Sequence, residues 1–256
     1  MNMAVDEAIL TCQSQGKVPP TIRFYQWQPP AITIGYFQRI NEEVDLEACR
    51  ESGIDVVRRL TGGRAVLHHR ELTYSLVACE NDPHVPGGVL SSYLAISKGL
   101  LAGLKKLGLE GKVVEGGAER SKGTAACFDA PSWYEITIDG KKVIGSAQTR
   151  KHGSLLQHGS VPVILEAAEV CRCLRFPSDK MKEYTLRRLK EKAAGLAQFF
   201  GGYGPPLSSI EKAFFDGFAE GLGVHLAAEE LTPEEKDLAR HLCRNKYRQD
   251  HWNFKR

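Results

Sequence analysis

From Trp133 to Val161 the chain reads WYEITIDGKKVIGSAQTRKHGSLLQHGSV, and this run leaves few arrangements open. Trp133 to Ile138 alternates aromatic and β-branched residues with polar ones, the pattern of a half-buried strand. Asp139-Gly140 then supplies the positive backbone angles of a two-residue hairpin turn. That turn pairs Ile138 with Lys141, Ile136 with Val143 and Tyr134 with Gly145. Because side chains alternate along a strand, Lys141 shares a face with the apolar residues and Lys142 shares one with Thr137 and Glu135. The strand continues from Lys141 to Gly153 through a Lys-His-Gly turn, and Ser154 to Val161 forms the next one. Just upstream, Cys127 sits in a small-residue loop, Gly123-Thr124-Ala125-Ala126, and is followed by Phe128-Asp129-Ala130-Pro131. A thiol at the mouth of a hairpin carrying an isolated ammonium suits acyl transfer.

Composition excludes more than it selects. At 256 residues the chain can form one α/β domain or two small ones, either with a full core. A net charge of +3 is too mild to argue for nucleic acid, while a partly basic surface suits an acidic protein partner. No apolar run approaches the roughly 20 residues of a membrane span, and the polar N-terminus carries no secretory core. Seven cysteines without regular spacing argue for a reducing cytoplasm. Cys171 and Cys173 have no second pair and no histidine partner, so a metal site is not expected there.

Taken in order, Met3 to Cys12 has the spacing of a short amphipathic helix, with Asp6 and Glu7 suited to the positive end of its dipole. Thr21 to Trp27 and Ile32 to Phe37 read as strands joined through Gln28-Pro29-Pro30. A helix follows from Glu42 to Ser52, ended by Gly53. Leu72 to Ala78 is strand, Asn81 to Gly88 a Pro/Gly loop, and Leu90 to Leu107 helix. Val113 and Val114 start a strand leading into a polar loop, Glu119 to Gly123, close to Cys127. Ser178 caps a charged helix, Asp179 to Ala194, whose lysines and arginines read as a solvated face. Gly201 to Pro206 is the best linker in the chain. Two helices follow, Ser208 to Leu222 and Pro233 to Asp250. The second opens with an N-cap, a first-turn proline and a capping-box glutamate, Thr232-Pro233-Glu234-Glu235.

The second informative stretch is Val56 to Tyr74, VVRRLTGGRAVLHHRELTY. A strand enters, Thr61-Gly62-Gly63 lets the backbone turn and approach something closely, and Ala65-Val66-Leu67 leaves. Glycines there can offer backbone amides to a carbonyl or phosphate. On its own, Gly-Gly reads more readily as a hairpin turn with basic flanks. His68-His69 likewise reads as a surface feature, and with no third ligand it does not suggest zinc.

Together the motifs carry a resemblance. RRLTGGRAVLHH, Arg58 to His69, resembles the RRxxGGGxVxH loop of the lipoate ligase, octanoyltransferase and biotin ligase superfamily. GKKVIGSAQ, Gly140 to Gln148, resembles its GxKxxGxA hairpin, and MNMAVDEAIL resembles its first helix. The likeness runs to Trp252-Asn253-Phe254, nearly the whole chain, and ACFDAPSWYEI, Ala126 to Ile136, resembles the cysteine-dependent octanoyltransferase branch. The resemblance implies an α+β fold of mixed, largely antiparallel sheets flanked by helices, with a small C-terminal helical portion. Residues 1–204 would form the acyltransferase domain, and 205–256 a helical extension packed on it. Cys127 and Lys142 are the implied catalytic residues. The implied substrate-binding set is Arg59, Thr61, Gly62, Gly63, Arg64, Ala65 and His68 from the loop, Gly145, Ser146 and Ala147 from the hairpin, and His158 and Gly159 beyond it.

By the same resemblance, octanoyl moves from acyl carrier protein to a specific lysine of an apo lipoyl protein, such as glycine-cleavage H protein, in lipoate biosynthesis. The implied enzyme is a cytoplasmic monomer that needs no cofactor and binds neither nucleic acid nor membrane. Two departures stand out. Arg64 occupies the place of a third glycine in ATP-using ligases, which speaks against adenylate chemistry. The family also has a strand before its first helix, and this chain starts too late to contain it, which suggests a truncated start.

The chemistry fits those residues. A free cysteine has a pKa of roughly 8.5, so only a few per cent is thiolate at neutral pH. An ammonium at Lys142 raises that fraction and holds the acyl carbonyl, and one oxyanion donor is typically worth about 3 to 4 kcal/mol. Burying an eight-carbon chain contributes roughly 5 kcal/mol at about 0.8 kcal/mol per methylene. Trp133 and Tyr134 read as core rather than substrate contacts. Three activities remain open on these residues: the carrier-dependent transferase, an amidotransferase moving octanoyl between lipoyl proteins through the same thiol, and an ATP-dependent lipoate ligase or a non-catalytic relative.

Overall fold

The computed structural model describes residues 1–115 and 134–256. Cys127, Trp133 and the Glu119 to Gly123 loop lie outside the described residues. The chain opens on α1 (Asn2–Ser14), slightly longer than its apolar spacing predicts. β1 (Thr21–Tyr25) and β2 (Ala31–Ile34) follow, joined through a cis Gln28–Pro29 bond. They are shorter than predicted and belong to different sheets. The helix expected over residues 42–52 is broken into α2 (Ile40–Glu43) and α3 (Leu46–Glu51). Val44 between them is extended and bridges Leu174, and the Asp45 side chain caps α3 by accepting from the Ala48 amide. Gly53, at a φ of 65°, closes α3 as predicted.

β3 (Asp55–Arg58), β4 (Val66–His68) and β5 (Glu71–Cys79) lead to α4 (Val89–Lys106) and β6 (Lys112–Glu115). Beyond residue 133 come β7 (Tyr134–Ile138), β8 (Lys141–Lys151) and β9 (Ser154–Pro162). The main sheet has the order β1-β5-β9-β8-β7-β6 and is antiparallel throughout. The smaller sheet is ordered β3-β2-β4, with β3 parallel and β4 antiparallel to β2. This corrects one expectation. The glycine loop does not join neighbouring strands in a hairpin; it carries the chain across the end of β2, which lies between β3 and β4.

The hairpin at Asp139-Gly140 forms with φ of 50° and 75°. Ile138 pairs with Lys141, and Thr137 with Lys142, as the alternation predicts. Ile136, however, pairs with Ile144 and not with Val143. The extra residue is a bulge, and the reason is packing. Val143 and Ile144 are both buried in the core under α4, while Lys142 faces elsewhere. Strict alternation would put Ile144 on the lysine's face, and a bulge resolves the conflict by re-aiming side chains.

α5 (Ala167–Arg172), α6 (Asp179–Lys192), α7 (Leu207–Leu222), α8 (Pro233–Leu242) and α9 (Asp250–Asn253) complete the chain. Ser178 caps α6, and Thr232 and Glu235 form the capping box of α8, as their spacing predicts. The last predicted helix is not continuous to Asp250; it widens to a π-type turn over Cys243–Tyr247 before α9. No helix among the described residues is long and apolar enough to cross a membrane.

β5 is buried on both faces, and its alternation separates two cores. Leu72, Tyr74, Leu76 and Ala78 face α4 and α7, with Phe214 and Phe218 in the same cluster. Val77 packs toward α1 and α8, beside Ile9, Leu156 and Ala239. The same alternation sends Glu71, Thr73 and Ser75 of β5 toward α1 and the smaller sheet. Those polar residues, buried with His158 and Ser160 of β9, floor the site.

Candidate functional site

A cavity of about 290 Å³ lies where the two sheets meet α1. Its apolar lining comes from Met3, Tyr25, Trp27 and Val66. Around these the structure brings together Arg59, Gly63, Arg64 and His68 from the glycine loop and β4, Lys142, Gly145, Ser146 and Ala147 from β8, and His158 and Gly159 from β9. Thr61 and Gly62 lie one layer back, bonded to Arg59. Ala65 packs into the second core with Ile32 and Ile34 and is not part of the cavity wall.

Close approach explains the loop's glycines. A Cβ on Gly35 would lie 1.9 Å from the Gly63 carbonyl oxygen, so only glycine at 35 lets the loop seat against β2. Gly63 itself holds a φ of 88°, which disfavours any side chain there. The Tyr36 amide donates to the Thr61 carbonyl at 2.8 Å and completes the seat.

Two adjacent arginines fix this geometry in opposite directions. Arg58 is wholly buried and donates to the carbonyls of Gly35, Tyr36 and Gln38 and to those of Trp252 and Asn253. It thereby bolts α9 to the back of the loop. Arg59 points the other way and donates to the Gly62 and Arg64 carbonyls at 2.8 and 2.7 Å. Its remaining N–H groups reach the Thr61 and Thr33 hydroxyls at 3.1 and 3.0 Å.

Each of those hydroxyls meets a histidine backed by a carboxylate. Thr61 Oγ1 lies 2.7 Å from His158 Nε2, and His158 Nδ1 lies 3.2 Å from Asp6 Oδ2. Thr33 Oγ1 lies 2.9 Å from His68 Nε2, and His68 Nδ1 lies 2.6 Å from Glu71 Oε1. Trp27 stacks on His68 with ring centroids 4.5 Å apart. Burial pushes the His158 imidazole below its ordinary range, with the Asp6 hydrogen bond offsetting part of that. Burial alone would raise the Asp6 carboxyl, but His158, Arg23 and Tyr25 together hold it below the usual range. The pair is therefore a carboxylate facing a neutral ring that donates from Nδ1 and accepts the Thr61 hydroxyl at Nε2.

This corrects two expectations. Asp6 does not serve the dipole of α1; it is a buried hub that also accepts from Arg23, Tyr25 and Ser75. Glu7 instead meets Lys246 and Tyr247. His68 is buried at the cavity, not a surface feature. Asp6, Glu71, Thr33, Gly35 and Arg58 are absent from the site residues expected from sequence. For Asp6 the signal was present: it shares the apolar stripe of Met3 and Leu10, where a carboxylate must be paired.

Lys142 is 3% exposed and lines the cavity from the bulged end of β8. Its ammonium is not isolated, as the hairpin alone suggests. Nζ meets Glu135 Oε1 on the neighbouring strand at 2.8 Å, the same-face contact that the Thr137–Lys142 pairing sets up. A buried ammonium needs such a carboxylate to persist as a charge. The arrangement places Lys142 beside a partly apolar cavity walled by a glycine loop.

Residues 1–219 match the family model described as the lipoyl protein ligase A/B catalytic domain. The chain belongs to that family. Among similar sequences, proteins named octanoyltransferase LipM from Kyrpidia tusciae and Brevibacillus brevis are 48% and 47% identical, each over 100% of this chain and 94% and 95% of the relative. A Bacillus subtilis protein of the same name is 42% identical over 100% of this chain and 94% of its own. By that kinship the chain is an enzyme, a transferase. Among solved structures, the bi-partite lipoate protein ligase from Thermoplasma acidophilum, described with its E2 lipoyl domain, superposes with a TM-score of 0.81 at 26% identity. It covers 99% of this chain and 90% of that one. A lipoate-protein ligase A bound with ATP gives 0.79 at 28% identity, covering 98% and 92%. The family's mixed sheets flanked by helices are those described above.

Proposed function

We propose that the protein is an octanoyltransferase of lipoate biosynthesis that works through a thioester on Cys127. The observation that carries this reading is Lys142: a buried ammonium, held by Glu135, on the wall of a cavity that Met3, Tyr25, Trp27 and Val66 line with apolar surface. In the first half-reaction the Cys127 thiolate attacks the octanoyl thioester of acyl carrier protein. A new S–C bond forms, the carrier's S–C bond breaks, and the proton lost by Cys127 leaves on the carrier thiol. The oxyanion of the tetrahedral intermediate draws on Lys142 and on backbone amides of the glycine loop.

In the second half-reaction the neutral amine of the acceptor lysine attacks. An N–C bond forms, the C–S bond to Cys127 breaks, and the amine's proton returns to the thiol. Exchange between thioesters is nearly balanced and amide formation is downhill, so no nucleotide is required. The acceptor is an apo lipoyl protein such as glycine-cleavage H protein, and the octanoyl chain lies along Met3, Tyr25, Trp27 and Val66. Arg64, on the cavity wall where ATP-using relatives carry a third glycine, supports the same conclusion. The test is transfer to an apo H protein from octanoyl-carrier protein without ATP or magnesium. Full transfer is the expected outcome; a strict requirement for ATP with free octanoate would place the protein among the ligases.

A further inference from the structure

Two cavities share one wall. Beyond the cavity described above lies a second, larger cleft of about 770 Å³, between the start of α1, β3 and the C-terminal turns. Among the described residues, Met3 and Trp27 line both, and no other residue does. The pairing register shows where this wall stands. Gly145 pairs with Ser160, Ser160 with Thr73 and Thr73 with Tyr25, so the cavity runs across the main sheet from β8 to β1. Lys142 lines it on the β8 side, and Tyr25, Trp27 and Met3 on the β1 side. Three strand intervals of about 4.8 Å put those sides about 14 Å apart. The seven C–C bonds of an octanoyl group, about 1.5 Å each, reach about 9 Å when extended. An octanoyl group whose carbonyl meets Lys142 therefore ends against the shared wall.

The wall has one rigid member and one soft one. Trp27 donates from Nε1 to Thr73 Oγ1 at 2.9 Å, stacks on His68 and meets Tyr25 at a tilt with ring centroids 6.0 Å apart. Met3 is 4% exposed and sits in an apolar cluster with Ala4, Tyr25, Cys243 and Tyr247. An unbranched thioether fills such a place by packing, with three bonds free to rotate. The backbone beneath it is fixed. Asn2 Nδ2 donates to the Gln26 carbonyl at 2.9 Å and Arg23 donates to Asn2 Oδ1 at 2.6 Å, which ties the start of α1 to the end of β1. A shorter side chain at position 3 leaves that frame standing and removes part of the wall.

We propose that Met3 determines the length of acyl chain the enzyme accepts: its side chain closes the tail end of the cavity, and chains longer than octanoyl are refused there. The inference rests on the transfer reading above, in which the acyl carbonyl lies at Lys142. With the carbonyl held, every added methylene moves the end of the chain toward Met3 and Trp27. Trp27 cannot yield without losing its bond to Thr73 and its stack on His68, so the fit of the ninth and later carbons depends on Met3. Opening the wall at Met3 joins the cavity to the outer cleft, which has room for those carbons.

The test is a competition for the enzyme between octanoyl- and dodecanoyl-carrier protein at equal concentration, read as the two acyl-enzyme masses in one sample. Both adducts form on the same folded molecules, so partial unfolding of a variant leaves their ratio unaffected. The wild type should take up octanoyl in excess. Met3→Ala should raise the dodecanoyl-to-octanoyl ratio by about tenfold or more, the scale on which an apolar pocket discriminates a methylene. Met3→Leu, of nearly the same volume, should keep the wild-type ratio. A Met3→Ala ratio equal to that of the wild type, an equal rise in both variants, or a wild type that takes the two chains alike would overturn the proposal. The Kd values of free octanoate and dodecanoate, by isothermal titration calorimetry, are measured on the same three proteins. Absence of any acyl-enzyme on the wild type would count against the Cys127 mechanism, and the ratio of those Kd values would then judge the wall by the same criteria.

Discussion

At the scale of the residue, Lys141 and Lys142 separate a charge that matters from one that does not. Lys142 is buried against Glu135 at the cavity, whereas Lys141 is half-exposed on the other side of the strand. Lys142→Ala should slow acylation of Cys127 on the order of a hundredfold, the scale of a lost oxyanion donor, and Lys141→Ala should change it little. Rates of alkylation and of octanoyl loading measure both; equal effects would contradict the assignment. His158 gives a second residue-level prediction. The native ring resists a proton that the unfolded chain accepts near a pKa of about 6.5. Stability should therefore fall as pH drops below about 6.5, until it passes the lower folded value. The depressed Asp6 carboxyl extends the loss to more acid pH. Thermal melts across this range should show that slope, and His158→Gln should flatten it; an unchanged slope would remove the Asp6–His158 pair from the stability balance. The lysine's face could be read from the Asp-Gly turn because strand alternation is local. The partners of Asp6 could not, because they come from β1, β5 and β9, which only packing brings to α1.

At the scale of the element, local signals proved reliable where they were covalently close. Ser178 and the Thr232/Glu235 capping box start helices where the spacing requires, and the Asp-Gly turn starts the hairpin. The bulge at Val143 and the break at Val44 were not legible in the same way. Each answers a demand from another element: the core under α4 in one case, and a bridge to Leu174 in the other. The contact between α4 and α7 shows how strict such demands become. Phe214 and Phe218 press on Gly103 and Gly99, and Gly217 and Gly221 let the helix backbones meet. A Cβ at Gly217 would lie 2.3 Å from the Gly103 nitrogen, with backbone that cannot rotate away. Gly217→Ala should therefore destabilise the protein by about 1–3 kcal/mol, the usual cost of overpacking, read as a lower midpoint in urea. A midpoint equal to that of the wild type would mean that the helices have room to separate.

At the scale of the whole molecule, the site exists because two sheets of different topology share one strand of logic. The glycine loop leaves β3, crosses the end of β2 and returns as β4. Arg58 ties its back to α9, and Arg59 ties its front to two carboxylate–histidine pairs. The motif RRLTGGRAVLHH spells out most of this loop, which is why the family resemblance was legible from sequence. The division of labour between the arginines was not, since one reaches a segment nearly two hundred residues away. The central claim, a covalent octanoyl-enzyme formed without nucleotide, is tested most directly by intact-protein mass spectrometry after mixing with octanoyl-carrier protein. The wild type should gain the mass of one octanoyl group, located by peptide mapping to the segment containing Cys127, and Cys127→Ala should gain none. An unmodified wild type that still octanoylates an apo H protein at full rate, or an adduct of equal yield on the alanine variant, would contradict it.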